Sequence, residues 1–139
     1  MIVLDTNVLS EILQPAPEAR VIAWLEAQPR LALFTTTVTQ AEILYGVRVL
    51  PAGQRRAALL DAVEAVFALD FAGQILSFEG DAAAAYAEIA AARRSAGRPI
   101  SQFDAMIAAI TRSHGASLAT RNVRDFSDCG IEVIDPWAG

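Results

Sequence analysis

The sequence contains no lysine: all eleven basic residues in its 139 positions are arginines. A P-loop nucleotide site requires a lysine against the phosphates, and Schiff-base catalysis requires a lysine amine. The glycine patterns GxxxxGK[ST] and GxGxxG are also missing. Nucleotide-binding and Schiff-base enzymes that depend on these features are therefore excluded.

Cysteine and histidine occur once each, as Cys129 and His114. A single cysteine cannot form an internal disulfide, and one cysteine with one histidine cannot complete a structural zinc site. No uncharged run reaches the roughly 20 residues that span a bilayer, and the first residues lack the order of a signal peptide. We therefore expect a soluble, cytoplasmic protein. The net charge of -5 argues against a general polyanion-binding surface but leaves a local one open.

Short apolar runs alternate with segments of helical periodicity along the chain. Apolar and β-branched runs predict strands, and apolar stripes spaced three or four positions apart predict helices. The predicted strands cover residues 1–5, 31–37, 75–78, 117–120 and 131–134. The predicted helices cover 7–13, a segment ending near Pro29, 39–50, a segment after the turn at 51–53, 81–96 and 101–114.

This alternation predicts an α/β fold, with a mainly parallel sheet of about five strands and helices on both faces, in one domain over residues 1–139. Ligands of such folds bind beyond the carboxyl ends of the strands. If the first strand is central, four polar residues near strand ends and helix starts converge at one rim. They are Asp5, Glu42, Asp104 and Asn122.

Three of these residues also fit a purely structural role. Thr39 to Glu42 and Ser101 to Asp104 have the spacing of a capping box. Asp5 can cap the helix that follows it at Thr6, although Thr6 or Asn7 can also serve as that cap. Taken singly, each acid is explained about as well by capping as by chemistry. Their joint placement favours a shared site.

Carboxylates brought together without a lysine repel one another and raise each other's pKa unless a cation lies among them. Mg²⁺ and Mn²⁺ prefer such oxygen ligands. An ion of this kind can hold a phosphodiester oxygen and lower the pKa of a bound water. The acids therefore predict metal-dependent phosphodiester hydrolysis.

Several segments, in order, resemble the PIN-domain ribonucleases, and in particular the VapC-type toxins of the FitB-like branch. The segments are IVLDTNVLSEIL, AEILYGV, FDAMIAAI, LATRNVRDF and the terminal IDPW. The resemblance covers essentially the whole chain. It implies a PIN-like fold and an RNA-cleaving Mg²⁺ or Mn²⁺ site formed by Asp5, Glu42 and Asp104, with the Thr6 hydroxyl supporting the site. It also implies a homodimer, a cognate antitoxin that inserts a segment into the active-site groove, and a higher assembly with that antitoxin on DNA.

The chain departs from the family pattern at one position. Many relatives carry a fourth acid directly after the TR pair, where this sequence has Asn122, and Asp125 follows three positions later. We predict that Asn122 faces the pocket and that Asp125 lies outside it. The pocket would then carry three formal negative charges and hold one ion well and a second one weakly.

Arginines are the only side chains available to contact RNA phosphates as cations. We expect some of four arginines to lie near the groove and RNA binding to weaken with salt. Arg121 has the best claim because it adjoins the fourth strand. The other three are Arg48, Arg112 and Arg124.

Two alternatives compete with the ribonuclease hypothesis. A phosphatase of the haloacid dehalogenase type needs a second aspartate two positions after the first, where this chain has Asn7. It also needs a later lysine, which this chain lacks. A response-regulator receiver domain is disfavoured by the same missing lysine. A non-enzymatic regulatory domain, whose acids are helix caps and whose function is to bind a partner, stays open on sequence grounds.

Overall fold

Residues 1–138 are described by the structure, a computed structural model. Within them, five short strands form one sheet: β1 (Ile2–Leu4), β2 (Leu33–Thr36), β3 (Ile75–Leu76), β4 (Ser117–Ala119) and β5 (Glu132–Ile134). Every neighbouring pair is parallel, and the strand order is β3-β2-β1-β4-β5. The predicted parallel sheet is confirmed, and β1 lies at its centre, which is the condition for the polar residues to converge. The last residue of the predicted domain, Gly139, lies outside the described residues.

Six α-helices connect the strands: α1 (Thr6–Ile12), α2 (Ala19–Glu26), α3 (Thr37–Arg48), α4 (Gln54–Ala65), α5 (Gly80–Ser95) and α6 (Gln102–Ser113). The predicted order of elements is confirmed, although each strand is shorter than its predicted segment. Three pieces were not predicted: 3₁₀ turns at Arg30–Ala32 and Val123–Phe126, and a π-helical turn at Val66–Asp70 that continues α4. None of the described helices has the length and hydrophobicity that crossing a bilayer requires.

The sheet separates two apolar layers. Val3 and Leu4 are adjacent on β1 and both buried, and successive side chains on a strand point to opposite faces. Val3 packs in a cluster with residues of α5 and α6, whereas Leu4 packs in a second cluster with residues of α1 to α4. Helices therefore cover both faces, as predicted. Sequence alone did not choose a partner for the alanine-rich α5, and the structure packs it along α6.

Two helices start at the carboxyl edge of the sheet. Asp5 caps α1 by accepting the Thr6 amide at 2.8 Å, which is the structural role considered for it, and Thr6 and Asn7, the other predicted caps, lie within the helix. Thr36 caps α3 through the Thr39 amide at 3.1 Å. The predicted capping box from Thr39 to Glu42 is therefore wrong, because β2 runs into α3 without a loop and the cap falls on the last residue of the strand.

The start of α6 and the end of α5 agree with the prediction. Ser101 caps α6, and its hydroxyl oxygen accepts the amide of Asp104 at 3.3 Å. Gly97 follows α5 with a φ of 74°, a left-handed conformation that glycine adopts without strain. The short turn after Gly97 leads directly into α6 and places Asp104 near the edge where β1 ends.

Candidate active site

A cavity of about 410 Å³ opens beyond the carboxyl ends of β1 and β4. Its wall contains all six residues singled out from the sequence: Asp5, Thr6, Glu42, Asp104, Arg121 and Asn122. The chain thus brings together groups from α1, α3, α6 and the segment after β4. This is the convergence expected for polar residues that follow neighbouring parallel strands.

The side chain of Asp5 is held from two sides. One carboxylate oxygen accepts the Thr6 amide at 2.8 Å, and the other accepts the Thr120 hydroxyl at 2.7 Å. The residue is only 4% exposed, because it lies between β1 and α1 in the middle of the sheet. Among residues 1–138, no arginine forms an ion pair with it.

Burial raises the pKa of Asp5 to about 6, and the negative charges of Asp104 and Glu42 act in the same direction. The hydrogen bonds from Thr120 and Thr6 favour the charged form and oppose part of this shift. Because the net shift is upward, the surrounding protein does not fully stabilise the carboxylate. A nearby cation would stabilise it further.

Sequence reasoning missed Thr120 and gave Asn7 only a possible capping role. The Thr120 hydroxyl donates to Asp5 and accepts the Asn7 side-chain amide and the Asn122 backbone amide, both at 3.1 Å. The Asn7 side-chain oxygen accepts the Arg121 amide at 3.2 Å. This network ties α1 to the segment after β4. A threonine at the end of a buried strand, beside the predicted site residues 121 and 122, was the available signal.

Glu42 is bound by the hydroxyl of Thr6 instead of by its own helix start. The Thr6 hydroxyl donates to the Glu42 carboxylate at 2.8 Å and lies 3.1 Å from the Thr39 hydroxyl. Glu42 is half-buried at the cavity wall. Because Thr36 caps α3, Glu42 takes no part in that cap, and its contacts belong to the cavity.

Asp104 lies in the first turn of α6 and is half-buried. Burial raises its pKa, as does the nearby charge of Asp125, whereas a hydrogen bond with Ser101 and the charge of Arg93 lower it. Its amide bonds to the cap residue, so a capping role and a place in the cavity wall occur together at this position.

The segment after β4 places Asn122 and Asp125 differently. Asn122 lines the cavity and precedes the 3₁₀ turn Val123–Phe126. Asp125 lies within that turn, is exposed and does not line the cavity, although its charge raises the pKa of Asp104. The predicted orientation agrees with this placement, and the chemical role of Asn122 stays a prediction.

A fourth carboxylate, Glu11, also lies in the cavity wall. The expected count of three acids is therefore wrong. Asn7, Ser10 and Glu11 share one face of α1 at intervals of three and four residues, a spacing that could have revealed Glu11. The Glu11 carboxylate accepts the Glu18 amide at 3.0 Å, a contact that holds it toward the start of α2.

The candidate arginines are distributed over different surfaces. Arg121 is the one basic residue that lines the acidic cavity within the described chain, and its guanidinium carbon lies 5.2 Å from the ring centre of Trp137. Arg112 instead pairs with Glu88 at 2.9 Å, and Arg48 lines a separate cavity. Arg124 is exposed in the 3₁₀ turn and does not line the acidic cavity.

Arg93 is a buried cation that sequence reasoning missed. Its guanidinium donates to the carbonyl oxygens of Arg98, Asp125 and Ser127 at 2.8, 2.9 and 3.1 Å. It extends the buried stripe of α5, four positions after Ile89. These bonds attach the end of the 3₁₀ turn to α5 and so support the segment that carries Asn122.

The acids have the donor chemistry that a hard divalent cation requires. In the arrangement described for residues 1–138, however, no three His, Cys, Asp or Glu side chains are close enough together to hold an ion. Glu42 is turned toward Thr6, so a cation would draw it away from that hydroxyl or contact it through water. The donor set fits such an ion, and the raised pKa values of Asp5 and Asp104 indicate negative charge that the ion would offset.

A larger, mainly apolar cavity of about 580 Å³ adjoins the acidic one. The two share Thr6 and Glu42. The larger cavity lies between α1, α3 and α4, and Arg55 stands in its wall. Together the two cavities form a groove with an acidic end and an apolar end.

Known proteins match this chain over almost its whole length. A family model described as PIN domain matches residues 2–131. VapC ribonuclease Y4jK of Sinorhizobium fredii is 38% identical over 137 residues, which cover 99% of this chain and 98% of the relative. Toxin FitB of Neisseria gonorrhoeae is 37% identical, with 99% of each chain covered. A chain in the structure of FitAB bound to an IR36 DNA fragment aligns with a TM-score of 0.92 at 37% identity, over 99% of this chain and 96% of that chain.

Proposed function

This chain belongs to the PIN-domain family and is a homologue of the VapC and FitB toxins, and from that membership we propose that it is a metal-dependent endoribonuclease, the toxin of a toxin-antitoxin pair. One observation within the molecule carries the proposal. Asp5 is buried without a basic partner, its pKa is raised, and Glu42 and Asp104 lie near it beyond the ends of the strands. Such a cluster of carboxylates lowers the stability of the fold unless a cation binds among them.

Asp5 and Asp104 would hold Mg²⁺ or Mn²⁺ directly, with Glu42 as a direct or water-mediated ligand. When bound, such an ion would supply positive charge for a phosphate oxygen and would lower the pKa of a bound water. The chain supplies the orientation. Thr6 and Thr120 fix both oxygens of Asp5, so its carboxylate is the ligand that moves least.

The remaining polar groups of the cavity wall contact the RNA or hold the acids in place. Arg121 offers a positive charge at the edge of an acidic cavity, where a phosphate would otherwise be repelled. Asn122 offers an amide that can accept or donate a hydrogen bond without adding charge. Thr6 donates to Glu42 and so holds that carboxylate at the wall until a cation competes for it.

A cognate antitoxin would bind the groove beside these acids. The apolar end of the groove fits the side chains of an inserted protein segment, and the acidic end fits a basic residue of that segment. The aligned FitAB structure is bound to DNA, which supports a similar assembly of this chain with an antitoxin on DNA. A homodimer is proposed on the family resemblance alone.

Purified protein should cleave RNA when Mn²⁺ is supplied and stop when EDTA removes it. Asp104→Asn should lower the cleavage rate at least about 100-fold, because a charged ligand is lost. Asp81→Asn is the matched control, since Asp81 also lies in the first turn of a helix but does not line the cavity. If the protein binds a partner tightly yet hydrolyses no RNA with any divalent ion, the non-enzymatic alternative is correct.

A substitution at Asn122 should change the negative charge of the cavity and thereby its affinity for a second metal ion. Asn122→Asp should tighten the binding of a second Mn²⁺ at least about tenfold, because two divalent ions repel each other less when another carboxylate lies near them. Asp125→Asn should change metal binding little. Calorimetric titration of both variants tests this. A marked loss of metal binding and cleavage in Asp125→Asn, with Asn122→Ala nearly silent, would show that Asp125 is the functional residue.

A further inference from the structure

Arg121 and Trp137 form a cation–π pair at the rim of the acidic cavity. The guanidinium carbon of Arg121 lies 5.2 Å from the centre of the Trp137 ring, and both residues line the cavity wall. The pair is formed by residues sixteen positions apart, one after β4 and the other after β5. The proposed ribonuclease function accounts for the charge of Arg121 but not for its contact with an aromatic ring.

Both members of the pair are anchored by groups other than each other. Trp137 is 8% exposed, packs in the apolar cluster that contains Leu4, and donates its amide to Asp135 at 2.9 Å. The Arg121 amide donates to the Asn7 side chain at 3.2 Å. The indole is therefore a fixed surface, and it holds the guanidinium above it in a defined position.

The side chain of Arg121 is exposed and lines the cavity, so the guanidinium is accessible to a ligand while the indole lies beside it. A guanidinium can contact an aromatic ring on one face and stack with a nucleobase on the other, while its N–H groups in the plane stay free for a phosphate. A phosphate contact requires only positive charge, whereas an aromatic ring that holds the guanidinium also prepares it to stack with a base. The pairing of Arg121 with an indole therefore favours a base as the ligand.

We propose that Arg121 and Trp137 form a stacking platform that holds one nucleobase of the RNA beside the cleaved phosphate; the proposal rests on the ribonuclease function proposed above. Trp137 is a positioning residue, since it acts through Arg121. Arg121 contacts the base. The platform would fix the register of the RNA, because a base seated on it places a neighbouring phosphate over the acids of the cavity.

The test is binding of a short oligoribonucleotide that the wild type cleaves, measured by fluorescence anisotropy in an Asp104→Asn background so that no cleavage occurs. An abasic nucleotide is placed at each position in turn. At one position beside the cut, removing the base should weaken binding about tenfold. Arg121→Lys keeps the charge but loses the plane, and it should weaken binding of intact RNA by a similar factor.

The decisive result is whether the effect of Arg121→Lys and the effect of the missing base on RNA binding depend on each other. In the Arg121→Lys protein, the abasic nucleotide should cause no further loss of RNA binding. In the Trp137→Leu protein, the abasic nucleotide should likewise cause no further loss. Trp137→Phe should restore much of the binding, since it keeps a ring under the guanidinium. Arg124→Lys is the matched control and should retain the full effect of the missing base, because Arg124 does not line the cavity.

Three outcomes would overturn the inference. If the losses from Arg121→Lys and from the abasic nucleotide simply multiply, the base is not held by Arg121, and the ribonuclease function stands without the platform. The same holds if no position responds to removal of its base. If the wild type cuts no RNA under any condition, the proposed function itself fails, and the platform fails with it.

Discussion

Replacing Asp5 with Asn should lower the rate of RNA cleavage by about a thousandfold or more, because the best-held ligand of the proposed ion loses its charge. Asn keeps the shape of the side chain and one of its two oxygens. The bond from the Thr6 amide can therefore persist, and the fold should survive. The measurement is kcat/KM for an oligoribonucleotide at saturating Mn²⁺.

Asp61→Asn serves as the control for this variant, since Asp61 is exposed on α4 and does not line the acidic cavity. It should cleave RNA at the wild-type rate. An Asp5→Asn protein that is folded and keeps more than about a tenth of the activity would contradict a metal role for Asp5, since losing a charged ligand is expected to cost several kcal/mol.

Without metal, the stability difference between Asp5→Asn and the wild type should grow in favour of the variant as the pH rises from about 4 to about 7. The pKa of Asp5 is raised from 3.8 to about 6 in the folded protein, so the folded state binds this proton more tightly than the unfolded state. Between those two values the unfolded state carries fewer protons, and stability therefore falls as pH rises. The change attributable to Asp5 is about 2 to 3 kcal/mol.

Chemical denaturation in EDTA at several pH values measures this effect. Taking the difference between variant and wild type removes the titration of the other carboxylates, apart from those coupled to Asp5. Adding Mn²⁺ at neutral pH should then stabilise the wild type and not the variant, since an ion that binds only the folded state adds to its stability. A stability difference that is flat or shrinks with pH would show that Asp5 is well stabilised by the protein alone.

The sequence was sufficient to predict the parallel sheet, whereas the central position of the first strand was only a condition that the structure meets. Apolar runs and helical stripes are local patterns, and the handedness and connection rules of α/β folds leave few ways to arrange them. The acids at the carboxyl edge followed from the same reasoning, because their position relative to the strands is a local property. Asp5 ends such a run, Asp104 lies in the first turn of α6, and Glu42 lies in the first half of α3.

The support for Asp5 could not be predicted, because it depends on contacts between distant parts of the chain. Thr120 lies 115 positions from Asp5, and Asn7 lies 113 positions from Thr120. Nothing in the sequence near either residue specifies these bonds, which exist only because β1 and β4 are neighbours in the sheet.

The capping box at Thr39 failed for a different reason. The spacing from Thr39 to Glu42 was right for a cap, but Thr36, three positions earlier, could cap the helix equally well. Which threonine caps α3 depends on where β2 ends, and the end of a strand is set by its pairing with neighbouring strands. Glu42 was consequently free to bind Thr6, a contact across two helices that spacing alone does not reveal.

The central claim is that the acids beyond β1 form a site for a divalent cation, and calorimetric titration of Mn²⁺ into the wild type and Asp5→Asn tests it most directly. The wild type should bind Mn²⁺ with a measurable heat, and Asp5→Asn should bind it at least about tenfold more weakly, because the ion loses a full charge at close range. Equal affinities in the two proteins would contradict the account.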